Sequence, residues 1–415
     1  MTTVQHNSPS GKIDILIVGG GLVGGSLAVA LASVGFNIVV ADHIDQRSQL
    51  DAEFDGRASA IALTPQKMLT QIGMWQHIED NTAAIKDIRV ADGDSRLFLH
   101  YDHLDIGEEA LGYMVENRFL RQAIFACIAQ MPNITYAAPL KIKACRHHPG
   151  GVEAVAESGD TVTASLIVGA DGWASQIRED AGISLIQWSY HQTGIVLTVG
   201  HERPHHNVAH EHFLPAGPFA ILPLPTENGV NRASIVWTEP TDIAASLLAL
   251  PADQFLAEFT NRFGDFLGEL KLIGPRWSYP LSLQYAEKST GERLALAGDS
   301  AHVMHPIAGQ GLNMGMRDVA ALAEVLTDAR RLGMDIGAAD VLAKYESWRR
   351  FDNTLMLALT DGLTRLFSND IAPVRLARDF GLAVVNRAGP LKNFFVGHAM
   401  GKAGDLPRLL KGEAL

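Results

Sequence analysis

Residues 15–41 carry no charged side chain, a length sufficient for a membrane helix, yet six glycines interrupt them. The residue pattern also changes period along the stretch. β-Branched Ile13, Ile15, Ile17 and Val18 lead into glycines, an Ala/Leu-rich helical run follows, and Ile38, Val39 and Val40 close it. That order reads as strand, turn, helix and strand, buried in a protein core rather than in lipid. The turn carries Gly19-x-Gly21-x-x-Gly24. Gly19 permits the tight turn, Gly21 lets the backbone approach a pyrophosphate, and Gly24 lets the helix pack on the strand. The helix N-terminus then offers its partial positive charge to the phosphates. Asp42, at the end of the second strand, is placed to accept hydrogen bonds from an adenosine ribose. These features specify a dinucleotide site without separating NAD from FAD.

The rest of the chain is that of a large globular enzyme. Of 415 residues, 47% are hydrophobic and 19% charged, enough for two lobes or one domain with an insertion. The formal net charge of -12 argues against nucleic acid as a partner, because phosphate binding needs concentrated Lys and Arg. Cys127 and Cys145 have neither metal-type spacing nor a disulfide framework, so a reducing cytoplasm is the expected location. The first dozen residues lack signal-peptide or transit-peptide character. Helical patterns cover residues 65–78 and 118–130, and a strand covers 164–169. From about 190 to 240 alternating segments (194–199, 208–214, 219–224 and 233–238) imply an inserted antiparallel sheet. A strand at 293–297 and a helix at 311–332 return to the first unit, and residues 340–415 read as mainly helical.

Two further segments bear on the ligand. In the first, Gly298 and Asp299 end a buried strand, placing a carboxylate at the sheet edge for a ribose or ribityl hydroxyl. Gly309 and Gly311 then let the backbone lie against a flat ring, with a helix N-terminus aimed at it. Such a helix end would stabilise the negative charge that a reduced flavin carries around N1 and the C2 carbonyl. Asp299, His302 and His305 could also be spaced for a metal, but no further Cys or carboxylate signature accompanies them, so no metal is expected. In the second segment, Asp171 and Gly172 follow another strand and precede a helix that includes Arg178.

Taken together, the three segments resemble the FAD-dependent aromatic hydroxylases of the para-hydroxybenzoate hydroxylase type, and most closely their ubiquinone-biosynthesis branch, over residues 13–366. Residues 305–318 fit that branch's signature, His-Pro-x-Ala/Gly-Gly-Gln-Gly-x-Asn-x-Gly-x-x-Asp, at every specified position. The resemblance implies an α/β fold: a Rossmann-like FAD-binding domain (1–80, 113–183 and 285–370), an inserted antiparallel-sheet substrate domain (81–112 and 184–284) and a helical C-terminal tail (371–415). Gly19, Gly21, Gly24 and Asp42 would hold the ADP half of FAD. Arg57 matches an arginine beside the cofactor, and Asp171 and Gly172 match a motif linked to FAD and reduced nicotinamide. Asp299 would meet the ribityl chain and Pro306 the isoalloxazine, with Gly311, Leu312 and Asn313 facing its pyrimidine edge and Gly309 and Gln310 also among the cofactor-binding residues. Arg118 is the matching polar residue near the flavin, with Asn117 as its alternative. Residues 212–224 would cover the substrate side.

The reaction so implied uses NAD(P)H to reduce FAD, forms an oxygen adduct at flavin C4a and delivers OH to a phenolic ring, with no protein nucleophile. The implied substrate is a polyprenyl phenol or quinone precursor of ubiquinone, with O2 as co-substrate and other ubiquinone-biosynthesis proteins as partners. Residues 371–415 hold seven Lys/Arg against three Asp/Glu. Peripheral contact with the inner face of the cytoplasmic membrane is therefore expected, against the alternative of a tail packed on the enzyme. A soluble aromatic or polyketide substrate, or a non-catalytic FAD-binding subunit, are the competing readings.

Overall fold

Ile13–Val18 lies between Thr161–Gly169 and Ile38–Ala41 in a parallel sheet, with Leu294–Leu296 and Ile134–Ala137 further out on either side. The computed structural model describes residues 12–51, 56–92, 98–367, 397, 400–402 and 404–415. Registration fixes the site. Val18 is level with Gly169, and Gly169 is level with Leu296, so all three glycine turns leave the sheet at the same carboxyl edge. Open parallel sheets bind ligands at that edge.

The uncharged run folds as its pattern requires: the strand Ile13–Val18, the helix Leu22–Ala32 and the strand Ile38–Ala41. The helix is buried because it is sandwiched, packing against the sheet and against the helix Gln310–Arg331. Gly315 is small for that reason, since a Cβ there would sit 2.6 Å from Val23. The helix expected at 65–78 is instead Leu63–Gln71, ended by Gly73 in left-handed geometry (φ +76°), and Trp75–His77 forms a separate tight turn.

A second, eight-stranded sheet is larger than the four segments expected at 190–240. The segment at 194–199 is part of the strand Leu185–His201, which pairs along its length with Leu270–Ala286. Residues 81–112 contribute Asp87–Asp92 and Phe98–Asp102, joined through parallel pairing with Val208–Leu214. The strand period of two sorts this sheet's faces. Phe219, Ile235 and Trp237 pack with Phe255 and Phe259 beneath the helices Thr241–Leu248 and Ala252–Phe263. Their alternates, Ala220 and Val236, face a cavity between the two sheets.

Residues 371–396, most of the expected helical tail (371–415), lie outside the described residues. Beyond them the chain is docked: Leu409 and Leu410 are buried in the core of the first sheet's domain, and Trp348 donates to the Asp405 carbonyl at 2.8 Å.

Candidate active site

The cavity measures about 1250 Å³ and touches all three glycine turns. Gly21, Gly172 and Gly311 line it, and a Cβ on any of them would meet nothing within 4 Å. Backbone is thus laid bare to whatever occupies the cavity. Two helices begin there, Leu22–Ala32 after Gly21 and Gln310–Arg331 after Gly309, with no side-chain cap and no acid in the first turn of either. Their free N–H groups and partial positive charge suit a pyrophosphate at one end and the electron-rich edge of a flavin at the other. These cradles fit FAD.

Several expected cofactor residues act on the loops that would hold the ligand. Gly19 takes φ +100°, and a Cβ there would lie 2.2 Å from the Ala170 carbonyl oxygen, so the first two turns are in backbone contact. Asp42 accepts from the Gly20 N–H at 2.7 Å and the Ile44 N–H at 2.8 Å, and its carboxylate fixes the glycine loop from below. Asp171 accepts from the Ser175 hydroxyl at 2.6 Å and the Ile177 N–H at 3.2 Å, anchoring the helix Gln176–Asp180, while Gly172 reaches the cavity. Asn313 stitches two elements: its amide donates to the Ala60 and Gly309 carbonyls and accepts from the Ala62 N–H. The strand Ala58–Ala62 is thereby held against the start of the helix Gln310–Arg331.

Other residues face the cavity directly. Pro306, Gln310 and Leu312 line it, as does Asp299. Enclosure by protein raises the Asp299 pKa, and the charges of His302 and Arg57 oppose the rise. The Arg57 guanidinium lies 4.8 Å from the Tyr279 ring centre. Arg118 is absent from the lining. It pairs with Glu116 at 3.1 Å, whereas Asn117 is buried, lines the cavity and accepts from the Ser59 hydroxyl at 2.6 Å. The geometry therefore favours the alternative Asn117.

Asp299, His302 and His305 do not bring their ligand atoms together; among the described residues only Asp87, His100 and Asp102 do so, within 4.8 Å. His302 is instead engaged 2.6 Å from the fully buried Asp318 carboxylate. Asp318 also accepts from the Gly298 N–H at 2.9 Å and from Arg349 Nε at 2.7 Å. Burial pushes this carboxyl up, but His302 and Arg349 outweigh it and bring it down to about 2. His305 is buried against the edge of Tyr190, and burial pushes it down to about 4, leaving it neutral. Sequence reasoning missed Arg349, and nothing local marks it: its partner stands 31 positions earlier.

The chain matches the FAD binding domain family over residues 12–352. It is 56% identical to ubiquinone hydroxylase UbiL of Rhodospirillum rubrum, over 97% of this chain and 93% of the relative. It is 34% identical to 3-demethoxyubiquinol 3-hydroxylase of Escherichia coli, over 94% of this chain and 98% of the relative. Among solved structures, p-nitrophenol 4-monooxygenase PnpA of Pseudomonas putida superposes with a TM-score of 0.77 at 18% identity, covering 95% of this chain and 98% of that one. That likeness speaks to the fold. With the glycine cradles and the sequence relatives in agreement, the chain belongs to the FAD-dependent aromatic hydroxylases, in their ubiquinone-biosynthesis branch.

Proposed function

We propose that the protein is an NAD(P)H-consuming FAD monooxygenase that hydroxylates the ring of a polyprenyl phenol or quinone precursor of ubiquinone. The wall of the cavity carries this reading. Beyond the flavin loop it is built from Ile88, Val90, Leu99, Ala220, Leu222 and Val236. Each prenyl methylene buried against such a wall contributes about 0.8 kcal/mol. A soluble aromatic acid would call for a cation on that wall. Among the described lining residues Arg57 is the only Lys or Arg, and it lies over Tyr279 on the Asp299 side. Bound FAD supplies electron transfer from NAD(P)H and activation of O2. The protein's part is to orient the ring, exclude water and handle the phenolic proton.

The FAD-loaded enzyme is expected to oxidise NAD(P)H in step with a 2-polyprenylphenol and to add one oxygen to it by mass spectrometry, with 4-hydroxybenzoate giving no such coupling. Equal turnover of the soluble acid would favour the soluble-substrate reading. No turnover of either phenol by the loaded protein would favour a non-catalytic FAD-binding subunit.

A polyprenyl substrate resides in a bilayer, and none of the described helices is long and apolar enough to cross one. We infer peripheral membrane contact through the basic stretch that includes Arg375, Arg378, Arg387 and Lys392. Deleting residues 371–415 would be a poor test, because it strips Leu409 and Leu410 from the core. Changing those four residues to Glu is expected to lower co-sedimentation with anionic liposomes at least tenfold, at roughly 1 kcal/mol per charge. Undiminished co-sedimentation would refute the contact.

A further inference from the structure

The strand Val208–Leu214 divides its side chains between two environments. His210 and His212 stack with ring centres 6.0 Å apart, and His210 rests on Phe266 at 4.9 Å. His212 does not line the cavity. Ala209, Glu211 and Phe213 do line it, and so does His210. Glu211 is level with Ala220 on one neighbouring strand and Val90 on the other, so its carboxyl stands on an apolar wall. It has no hydrogen bond or ion pair among the described residues. Phe213, two residues on and about 7 Å along the strand, packs with Leu99 and Ile307. Ile307 follows Pro306, so the wall bearing Glu211 abuts the loop that would flank the flavin ring.

We propose that Glu211 takes the proton from the substrate's phenolic hydroxyl, a role that rests on the phenol-hydroxylase reading above. The phenol O–H bond breaks with its electron pair left on oxygen, and a carboxyl O–H bond forms; nothing is oxidised or reduced in the step. The resulting phenolate feeds electron density into the ring that is to be hydroxylated. The carboxyl then releases its proton to water before the next turnover.

The surroundings suit the task. Burial pushes Glu211 up to about 8, within about two units of a phenol's usual 10, the range in which proton transfer is efficient near neutral pH. Burial, helped by His212 and Arg89, pushes His210 down to about 4, so the next residue is neutral. Tyr101, on the same wall, is held as the phenol by burial. Across the cavity Arg57 lies over Tyr279, His302 is bound to Asp318, and Asp299 sits near both charges. Arg57 and His302 are thus engaged on the flavin side and do not neutralise Glu211.

Glu211→Gln keeps the shape and cannot take a proton, and two measurements on FAD-loaded protein decide the matter. The first is thermal unfolding without substrate. A carboxyl raised from 4.5 to about 8 contributes stability that is full below 4.5 and lost as pH rises through about 8. The variant should therefore gain several degrees on the wild type between about pH 5 and pH 9. The second is hydroxylation of a 2-polyprenylphenol. Wild-type kcat/KM should climb to a plateau above about 8; the variant should lose at least 100-fold in kcat, with its rise displaced toward the phenol's own ionisation near about 10. A flat stability difference, or a variant with the wild-type rate and pH limb, overturns the role of Glu211 while leaving the hydroxylase reading intact. A wild type that hydroxylates no phenol removes both.

Discussion

Asp318→Asn is expected to lower the thermal midpoint by roughly 10 °C and to yield protein largely without flavin. Asp318 is fully buried and is shared by His302, Arg349 and the Gly298 N–H. An asparagine can still accept from Gly298, but its amide N–H would face donors, and the buried Arg349 would lose an opposite charge. Breaking such a pair costs about 3–5 kcal/mol, a large part of the roughly 5–15 kcal/mol that holds a domain together. Asp318 does not line the cavity, so flavin would be lost indirectly: the turn carrying Gly298 and Asp299 is tied to the helix Gln310–Arg331 through this carboxylate. Asp352→Asn is the control, since Asp352 meets the same Arg349 at 2.8 Å with a side chain 13% exposed and should cost less. Asp318 also gives the wild type an acid limb. With its pKa held below the usual 3.8, its stability contribution is present above that value and is lost as pH falls through about 2. Unfolding curves and the flavin-to-protein ratio test the prediction; near-wild-type values for both would refute it.

The signature containing Asp318 was readable in the sequence, but the work done by several of its members was not. A motif shows that residues recur together, and only packing separates those facing a ligand from those supporting them. Asp42, Asp171 and Asn313 all hold loops by backbone hydrogen bonds. The parallel sheet and its glycine turns were legible because a buried strand, a turn and a helix each leave a strong local pattern. The extent of the second sheet was less so. Leu185–His201 has an exposed first half and a buried second half, so its hydrophobicity changes midway although the strand does not end. Asn117 and Arg118 differ by one step at the start of a helix, about 100° of rotation, and of the two acids that pair with Arg118, Glu116 is close by in the chain while Glu227 is distant in sequence. Glu211 was within reach: strand parity separates it from His212, but choosing which side chains meet the cavity required the neighbouring strands.

Gly21→Ala is expected to leave the fold intact and remove most of the affinity for FAD, which separates the duties of glycines that the motif presents as a set. Gly21 has φ -67° and ψ -165°, backbone that alanine adopts freely, and its added methyl would touch no protein atom within 4 Å. The apo-protein should lose about 1 kcal/mol or less, chiefly from a poorer helix cap. That methyl would point into the space where a pyrophosphate must approach the backbone. A clash there costs about 1–3 kcal/mol, or roughly 5- to 150-fold in Kd. Gly24→Ala should behave differently, because its Cβ would fall 1.9 Å from the Gly19 carbonyl oxygen and force the helix off the strand with or without cofactor. Thermal unfolding of the apo-proteins with FAD titration by fluorescence separates the two: Gly21→Ala should be stable and bind weakly, and Gly24→Ala should be unstable as well as weak. Wild-type FAD affinity in Gly21→Ala would mean that the pyrophosphate does not lie against this turn, and the placement of the cofactor along the sheet edge would have to be redrawn.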